Sequence, residues 1–269
     1  MSFKTQIDKR LALAISIADS AHEISLPAFH QGVVSKNKEN GGFYDPVTKA
    51  DTDTELHLRK RISAAFPDDG ISGEEFPDKP CENEWSWCLD PIDGTRAFVA
   101  GVPVWSTLIS ACYNEKPVIG IIDHPALNDR FIGAHGKAWR ITARGETRLK
   151  TNKCARLNDA VLSCTEPLAM FSSGQRGAYE MIRRTVRFSR LGLDAYGYAL
   201  TAAGRIDLVI EARLNPFDVM ALIPIIEGAG GAITDWHGGP ASKGGAIVCG
   251  GDPNLLPQVY PYLQRALDI

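Results

Sequence analysis

Hydrophobic periodicity changes twice along this chain, and these changes limit the folds that it can adopt. Apolar residues recur at helical spacing over residues 6–31, and again after Asp51 until Pro67 ends the run. From residue 85 to about residue 148 the pattern is instead that of strands separated by turn residues. This order predicts an antiparallel sheet packed behind two helices. The expected strands cover residues 85–89, 104–113, 118–123, 130–134 and 138–143.

The second part of the chain alternates short apolar strands with helical stretches. The expected strands cover residues 161–164, 188–193, 207–211, 232–235 and 246–249, and the expected helices cover residues 175–186, 195–203, 219–227 and a stretch after Pro253. Such alternation is typical of an α/β layer. The sequence therefore predicts an N-terminal α+β half over residues 1–150 and a C-terminal α/β half over residues 151–269, with the active site between them.

Composition excludes several classes of partner. A chain of 269 residues with 44% hydrophobic content can bury a full core. Its net charge of -3 lacks the basic excess that nucleic-acid binding needs. Mixed charges at the start of the chain predict neither a signal peptide nor a membrane span. Six cysteines without a C-x-x-C pair predict reduced thiols and a cytoplasmic protein.

Two carboxylates stand three residues apart in Leu89-Asp90-Pro91-Ile92-Asp93-Gly94-Thr95, which follows an expected strand. A strand that passes into a turn at Pro91 would aim Asp90 and Asp93 at one point, and such carboxylates repel unless a cation lies between them. Gly94 leaves space for a ligand, and the amides after it stand at an expected helix start, which favours an anion. An ordinary acidic turn remains the alternative for this motif alone.

Three further acidic clusters accompany that motif, and they indicate which metal it would bind. Magnesium prefers hard oxygen ligands such as carboxylates. None of the six histidines stands in zinc-ligand spacing, so a zinc site is not expected. The clusters are Asp45-Pro46-Val47-Thr48-Lys49-Ala50-Asp51, Gly73-Glu74-Glu75 and Asn215-Pro216-Phe217-Asp218.

A further motif is Glu227-Gly228-Ala229-Gly230-Gly231. Over residues 45–250, the acidic motifs and this one resemble, in the same order, the motifs of the inositol-monophosphatase superfamily of metal-dependent phosphatases. The resemblance implies an α/β (α+β) fold, a layered α/β/α/β/α sandwich of the inositol-monophosphatase and fructose-bisphosphatase type. It also implies a homodimer that binds two or three magnesium ions, is inhibited by lithium and hydrolyses a small soluble phosphate monoester.

The resemblance further implies a set of metal ligands. Glu74, Asp90 and the carbonyl of Ile92 would hold the first metal. Asp90, Asp93 and Asp218 would hold the second, and Glu74 would also reach a third.

Catalytic and phosphate-binding roles follow from the same resemblance. Asp51 and Thr95 would orient the attacking water, with Glu74 also among the catalytic residues, and the amides of Gly94 and Thr95 would take the phosphate. The sequence departs from the family where Phe217 precedes Asp218, because the family usually has tryptophan there.

Three other stretches resemble the histidinol-phosphatase branch of the superfamily. They are residues 96–98, 192–200 and 207–211. This resemblance implies L-histidinol phosphate, an intermediate of histidine biosynthesis, as the substrate. Inositol phosphates, or a broad range of sugar and nucleotide phosphates, remain the alternative.

The side chains in these stretches predict the substrate contacts, which are Arg96, Asp194 and Glu211. An ammonium and an imidazole are natural partners for two carboxylates in a partly dry pocket, whereas a polyol needs only hydrogen bonds. Under the alternative interpretation, Asp194 caps its helix and Glu211 pairs with Arg190 or Arg213.

Other features of the sequence favour structural roles. The glycine-rich residues 238–245 match no phosphate-loop motif and predict a surface turn between two strands. Residues 70–73 lack the serine-hydrolase elbow. Met170-Phe171, Trp105 and Trp139 are expected to pack in the core or an interface. A degenerate module that only binds phosphate or metal remains the non-enzyme alternative, although it would not need the water-orienting pair.

Overall fold

The structure is a computed structural model that describes residues 1–38, 44 and 46–266. Asp45, the first residue of one acidic cluster, therefore lies outside the described residues. The N-terminal elements are α1 (Phe3–Gln31), β1 (Lys36–Asn37), β2 (Pro46–Val47), α2 (Lys49–Ala65), β3 (Gly70–Gly73), β4 (Trp85–Asp93), α3 (Thr95–Val99), β5 (Ser106–Tyr113), β6 (Lys116–His124), β7 (Asp129–Ala134), β8 (Lys137–Thr142) and β9 (Gly145–Arg148).

Strands β3 to β9 form a seven-stranded sheet in sequence order. Neighbouring strands are antiparallel, as predicted, except that β3 runs parallel to β4. The expected strand pattern missed β3, which has only four residues, and β9, whose four residues are all exposed. Helices α1 and α2 pack on one face of this sheet, which confirms the predicted arrangement.

The C-terminal elements build a second, five-stranded sheet of order β11-β10-β12-β14-β13. Strand β10 is parallel to its two neighbours, and the remaining pairs are antiparallel. The elements are β10 (Val161–Cys164), α4 (Pro167–Met170), α5 (Ser173–Thr185), β11 (Phe188–Leu191), α6 (Ala195–Ala202), β12 (Leu208–Leu214), α7 (Pro216–Val219), α8 (Leu222–Ala229), β13 (Ala232–Asp235), β14 (Gly245–Gly250) and α9 (Leu256–Arg265).

The helix predicted over residues 219–227 corresponds to α8, which begins later, at Leu222, and Val219 instead ends the separate helix α7. The short helix α7 precedes α8, because Asn215 and Asp218 form a reciprocal capping box around Pro216 and start a separate turn. The glycine-rich residues 238–245 connect β13 to β14 and contain a 3-10 turn at Ala241–Lys243, which confirms the predicted turn.

Helices α6 and α8 lie between the two sheets and complete the layers. Helix α8 approaches the seven-stranded sheet so closely that a Cβ at Gly120 would lie 2.0 Å from the carbonyl oxygen of Ala221, and one at Gly133 would lie 2.3 Å from the backbone of Pro224. Helices α5 and α9 cover the outer face of the five-stranded sheet. This arrangement confirms the α/β/α/β/α sandwich.

The predicted boundary at residue 150 falls between the two sheets, while the division into two domains stays a prediction. None of the six cysteines forms a disulfide, and Cys81 alone among them is exposed. Among the described residues, no helix combines the length and the apolar character that a membrane crossing requires.

Candidate active site

Asp90 and Asp93 converge through a bulge in β4, and the predicted turn at Pro91 is wrong. The strand continues to Asp93. In a regular strand, residues three apart face opposite sides of the sheet. The register with β5 shifts between Asp90 and Asp93, and a bulge of this kind redirects side chains. Asp93 Oδ2 accepts hydrogen bonds from Ala195 N at 2.9 Å and Ser106 Oγ at 3.2 Å.

Asp218 reaches the same point from the other half of the chain. Its Oδ2 accepts from Asn215 N at 2.5 Å within the capping box of α7, and α7 packs against β4. One carboxylate oxygen from each of Asp90, Asp93 and Asp218 lies within 4.8 Å of the others. Three anionic oxygens this close form a donor set that fits a hard divalent cation.

The electrostatics of this cluster also fit a cation. Burial raises the pKa of Asp90 and Asp218 well above the usual range, and the neighbouring carboxylates Glu74 and Asp93, respectively, raise it further. Burial and the charge of Asp194 raise the pKa of Asp93 to about 7. Burial raises the pKa of Glu74 to about 7. A positive charge among these groups would stabilise their ionised forms.

Glu74 follows β3 and contacts a lysine that the sequence analysis missed. Lys38 Nζ lies 2.7 Å from Glu74 Oε1 and 2.5 Å from Glu75 Oε1. Burial disfavours the charged ammonium, yet both carboxylates raise the pKa of Lys38 above its usual value. No motif surrounds Lys38 in the sequence, so its contact with the site depends on the fold.

The predicted water-orienting pair is also brought together. Thr95 Oγ1 donates to Ile92 O at 3.0 Å and lies 3.4 Å from Asp51 Oδ1. Asp51 Oδ2 accepts from Thr48 N at 2.9 Å and from Thr48 Oγ1 at 2.5 Å, which holds the carboxylate in place at the start of α2. Burial raises the pKa of Asp51 to about 6.

Gly94 occupies a backbone conformation that favours glycine. Its φ of 76° is left-handed, and the chain turns there from β4 into α3. A Cβ on Gly94 would also lie 3.1 Å from the Asp194 carboxyl group. Arg96, in the first turn of α3, donates from Nε to Tyr44 O at 3.1 Å.

A cavity of about 270 Å³ joins these residues. Asp51, which contacts Thr95, does not line the cavity, whereas all the other predicted site residues do. The predicted residues that line the cavity are Glu74, Asp90, Ile92, Asp93, Gly94, Thr95, Arg96, Asp194, Glu211 and Asp218.

Asp194 and Glu211 line this cavity, and neither makes the structural contact that the alternative interpretation predicted for it. Asp194 precedes α6 with a φ of 48°, and its side chain makes no capping hydrogen bond. Glu211 lies in the middle of β12, not at its end as predicted. In the described part of the chain, neither Arg190 nor Arg213 forms an ion pair with Glu211, so the structural alternative is wrong for both carboxylates.

The structure also changes the interpretation of some apolar residues. Phe171 and Trp105 are buried in hydrophobic clusters and Trp139 packs beside one, as predicted. Met170 packs against a cluster but also lines the cavity, so core packing alone does not describe it. Tyr198 lines the cavity as well; the sequence analysis included it in the stretch 192–200 but predicted only Asp194 of that stretch as a substrate contact.

The raised pKa values predict that the metal-free protein loses stability as the pH rises. The pKa of Asp51 rises from 3.8 to about 6 and that of Asp93 from 3.8 to about 7 on folding. The folded state therefore binds more protons than the unfolded state between these values, and the free energy of unfolding decreases through that window. We expect the Tm measured in chelator to fall from pH 5 to pH 8, and magnesium to raise it most at pH 8. A Tm that increases with pH in chelator would contradict this.

Comparison with known proteins agrees with the fold. The Inositol monophosphatase family matches residues 6–267 of the chain. The chloroplastic bifunctional phosphatase IMPL2 of Arabidopsis thaliana is 40% identical over 236 residues, which is 87% of this chain and 66% of that protein. A histidinol-phosphatase of Chlorobaculum parvum is 32% identical over 231 residues, which is 85% of this chain and 86% of that protein.

A solved structure has the same fold over nearly all of the chain. The inositol monophosphatase from Zymomonas mobilis superposes with a TM-score of 0.84 at 34% identity, covering 98% of this chain and 100% of that one. Sequence, fold and acidic cluster thus lead to one conclusion. The chain belongs to the inositol monophosphatase family and is a metal-dependent phosphatase.

Proposed function

We propose that this protein is a magnesium-dependent phosphomonoesterase that converts L-histidinol phosphate to L-histidinol in histidine biosynthesis. The observation that carries the proposal is the pair Asp194 and Glu211, a half-buried and a buried carboxylate that line the cavity beside the acidic cluster. The relative in Chlorobaculum parvum that is called a histidinol-phosphatase supports the same substrate.

Magnesium would bind through the acidic cluster. We assign one ion to Glu74, Asp90 and the Ile92 carbonyl, and a second to Asp90, Asp93 and Asp218, with Glu74 available to a third. The close approach of the three aspartate oxygens supports this assignment. When bound, the ions lower the pKa of the attacking water and neutralise charge on the phosphate.

The residues around the cluster would position the reacting groups. Thr95 Oγ1 and Asp51 hold the water on one side of the phosphorus, and the amides of Gly94 and Thr95 hold the phosphate oxygens. Thr48 keeps Asp51 oriented through two hydrogen bonds. Attack is in line with the leaving oxygen, and no phospho-enzyme forms because the site contains no serine or cysteine nucleophile motif.

The substrate's positive and polar groups match the second half of the cavity. Its ammonium would pair with Asp194, and its imidazole with Glu211. Both interactions gain strength because water is excluded from Glu211 and partly excluded from Asp194. Arg96 would contact the substrate beside Asp194. Burial raises the pKa of Asp194, and the positive charge of Arg96 lowers it. A homodimer and a cytoplasmic location stay predictions.

Inositol phosphate is the second candidate substrate. The Zymomonas mobilis inositol monophosphatase, which shares the fold, supports it. A polyol would donate hydroxyl hydrogen bonds to Asp194 and Glu211 but would leave the negative charge of Asp194 uncompensated, whereas the ammonium of L-histidinol phosphate would pair with it.

A substrate panel tests the proposal. We expect kcat/KM with magnesium to be at least about tenfold higher for L-histidinol phosphate than for myo-inositol 1-phosphate or β-glycerophosphate, because one charge-assisted hydrogen bond is worth this much. Chelator should abolish hydrolysis, and added magnesium should restore it. Comparable kcat/KM values would leave a broad-specificity phosphatase, and full activity without metal would contradict the mechanism.

A further inference from the structure

Within the described part of the chain, two buried polar atoms beside the cavity have no hydrogen-bond partner. They are Glu211 Oε2 and the hydroxyl of Tyr198, which belong to residues that are 2% and 3% exposed, respectively. Both residues line the cavity. A buried polar group without a partner costs free energy, and nearly all such groups in folded proteins are paired. Two of them at one cavity therefore point to a ligand that pairs with both.

The surrounding contacts fix the direction of the Glu211 carboxylate and bring its strand against the helix that carries Tyr198. Glu211 Oε1 accepts from Thr165 N at 2.8 Å and from Thr165 Oγ1 at 2.9 Å, so the carboxylate cannot rotate freely and Oε2 keeps one direction. Helix α6, which carries Tyr198, packs against β12, which carries Glu211. After burial, the charge of Glu211 is the largest factor that raises the pKa of Tyr198.

We propose that Tyr198 is a specificity-determining residue that, with Glu211, binds the imidazole ring of the substrate. Glu211 Oε2 accepts the ring N–H, and the Tyr198 hydroxyl donates to the other ring nitrogen. This inference rests on the proposed function. A neutral imidazole offers one donor and one acceptor, whereas an ammonium offers donors only and leaves the tyrosine O–H unpaired. Met170 and Leu222 also line the cavity and suit the apolar faces of a ring.

The positions of the two carboxylates assign the two nitrogen-bearing groups of the substrate. Asp194 lies against Gly94, next to the expected phosphate position, since a Cβ on Gly94 would be 3.1 Å from its carboxyl group. In L-histidinol phosphate the amine stands on the carbon next to the phosphate-bearing methylene, and the ring is farther along the chain. The ammonium therefore faces Asp194, and the ring extends to Glu211 and Tyr198.

Tyr198→Phe tests this subsite when two phosphates are compared. Phosphoethanolamine keeps the ammonium and the phosphate of L-histidinol phosphate but lacks the imidazole arm. We expect the ratio of kcat/KM for L-histidinol phosphate to that for phosphoethanolamine to fall about three- to tenfold, mainly through KM, since one neutral hydrogen bond is lost. In calorimetry with inorganic phosphate present, L-histidinol should bind more weakly by a similar factor.

Tyr179→Phe is the matched control. Tyr179 is fully buried and its hydroxyl is also unpartnered, but it packs in the cluster between α5 and the five-stranded sheet and does not line the cavity. Its substitution should leave the ratio and L-histidinol binding unchanged. Neither Tyr198→Phe nor Tyr179→Phe should lower the Tm of the ligand-free protein, because neither substitution removes a hydrogen bond made in that state.

The outcomes separate this inference from the proposed function. If the unmutated protein hydrolyses both phosphates equally well, both the proposed function and the imidazole subsite are wrong. If it prefers L-histidinol phosphate and the Tyr198→Phe ratio equals that of Tyr179→Phe, the substrate stands and the role of Tyr198 is wrong. The double variant Tyr198→Phe/Glu211→Gln completes the test. If both side chains bind the same ring, the ratio in the double variant should fall by less than the product of the two single-variant factors.

Discussion

Asp218→Asn should lower kcat/KM at saturating magnesium by about a thousandfold or more, because a metal ion contributes several kcal/mol of charge stabilisation and each ~1.4 kcal/mol is tenfold in rate. The asparagine keeps an oxygen that can accept from Asn215 N, so α7 should still form. Thermal unfolding should show little stabilisation by magnesium. In chelator at pH 8 the variant should unfold at a higher temperature than the unmutated protein, because one buried negative charge has been removed.

Thr95→Ala provides the contrast for this prediction. Its hydroxyl contacts Asp51 and Ile92 O but is not among the three clustered carboxylates. Removal of a group used mainly in the transition state lowers kcat and kcat/KM together. Magnesium should therefore still raise the Tm of Thr95→Ala. An unchanged rate in Asp218→Asn at saturating magnesium would show that Asp218 is not a ligand of a catalytic metal.

Glu211→Gln should raise KM for L-histidinol phosphate about ten- to a hundredfold more than KM for β-glycerophosphate. A hydrogen bond to a charged group contributes about 1.5–3 kcal/mol, and β-glycerophosphate has no ring to lose this contact. Glutamine keeps an oxygen that can accept from Thr165, so the side chain should stay in place. Asp194→Asn should act in the same direction through the ammonium.

Asp207→Asn is a suitable control for the Glu211 variant. Asp207 is buried just before β12, and its carboxylate accepts from Asn152 Nδ2 at 2.8 Å and from Val161 N at 2.8 Å, away from the cavity. Its substitution tests whether the loss of any buried carboxylate near this strand changes substrate preference. Equal changes in the KM ratio for Asp207→Asn and Glu211→Gln would contradict a substrate contact at Glu211.

The cavity combines a metal-binding cluster with substrate-contacting residues, and the Asp218 and Glu211 predictions each test one of these two groups. The acidic cluster would hold the metal that acts on the phosphate group of any substrate, so the Asp218 variant should lose activity toward every phosphate tested. Asp194, Glu211 and Tyr198 come from the start of α6, from β12 and from α6, outside the acidic cluster, and their variants should change substrate preference. Steady-state rates with several substrates therefore separate the two groups of residues.

Much of the fold could be predicted from the sequence because the periodicity that indicates helices and strands is a local property of the chain. Helical and strand periodicity depend on neighbouring residues, and they located α1, α2 and most strands of both sheets. The acidic motifs also carried their chemistry locally, since carboxylates with oxygen-only partners indicate magnesium whatever the fold around them. The order of the motifs then indicated the family and, with it, the layers.

Other features were decided by the tertiary structure alone. The bulge that turns Asp90 and Asp93 to one side depends on pairing with β5, and Lys38 reaches Glu74 only because distant segments meet. The unpaired atoms of Glu211 and Tyr198 exist because packing of α6 on β12 excludes water from them. Residue type and spacing are properties of the sequence, whereas burial, desolvation and hydrogen-bond pairing depend on which distant residues the fold brings together.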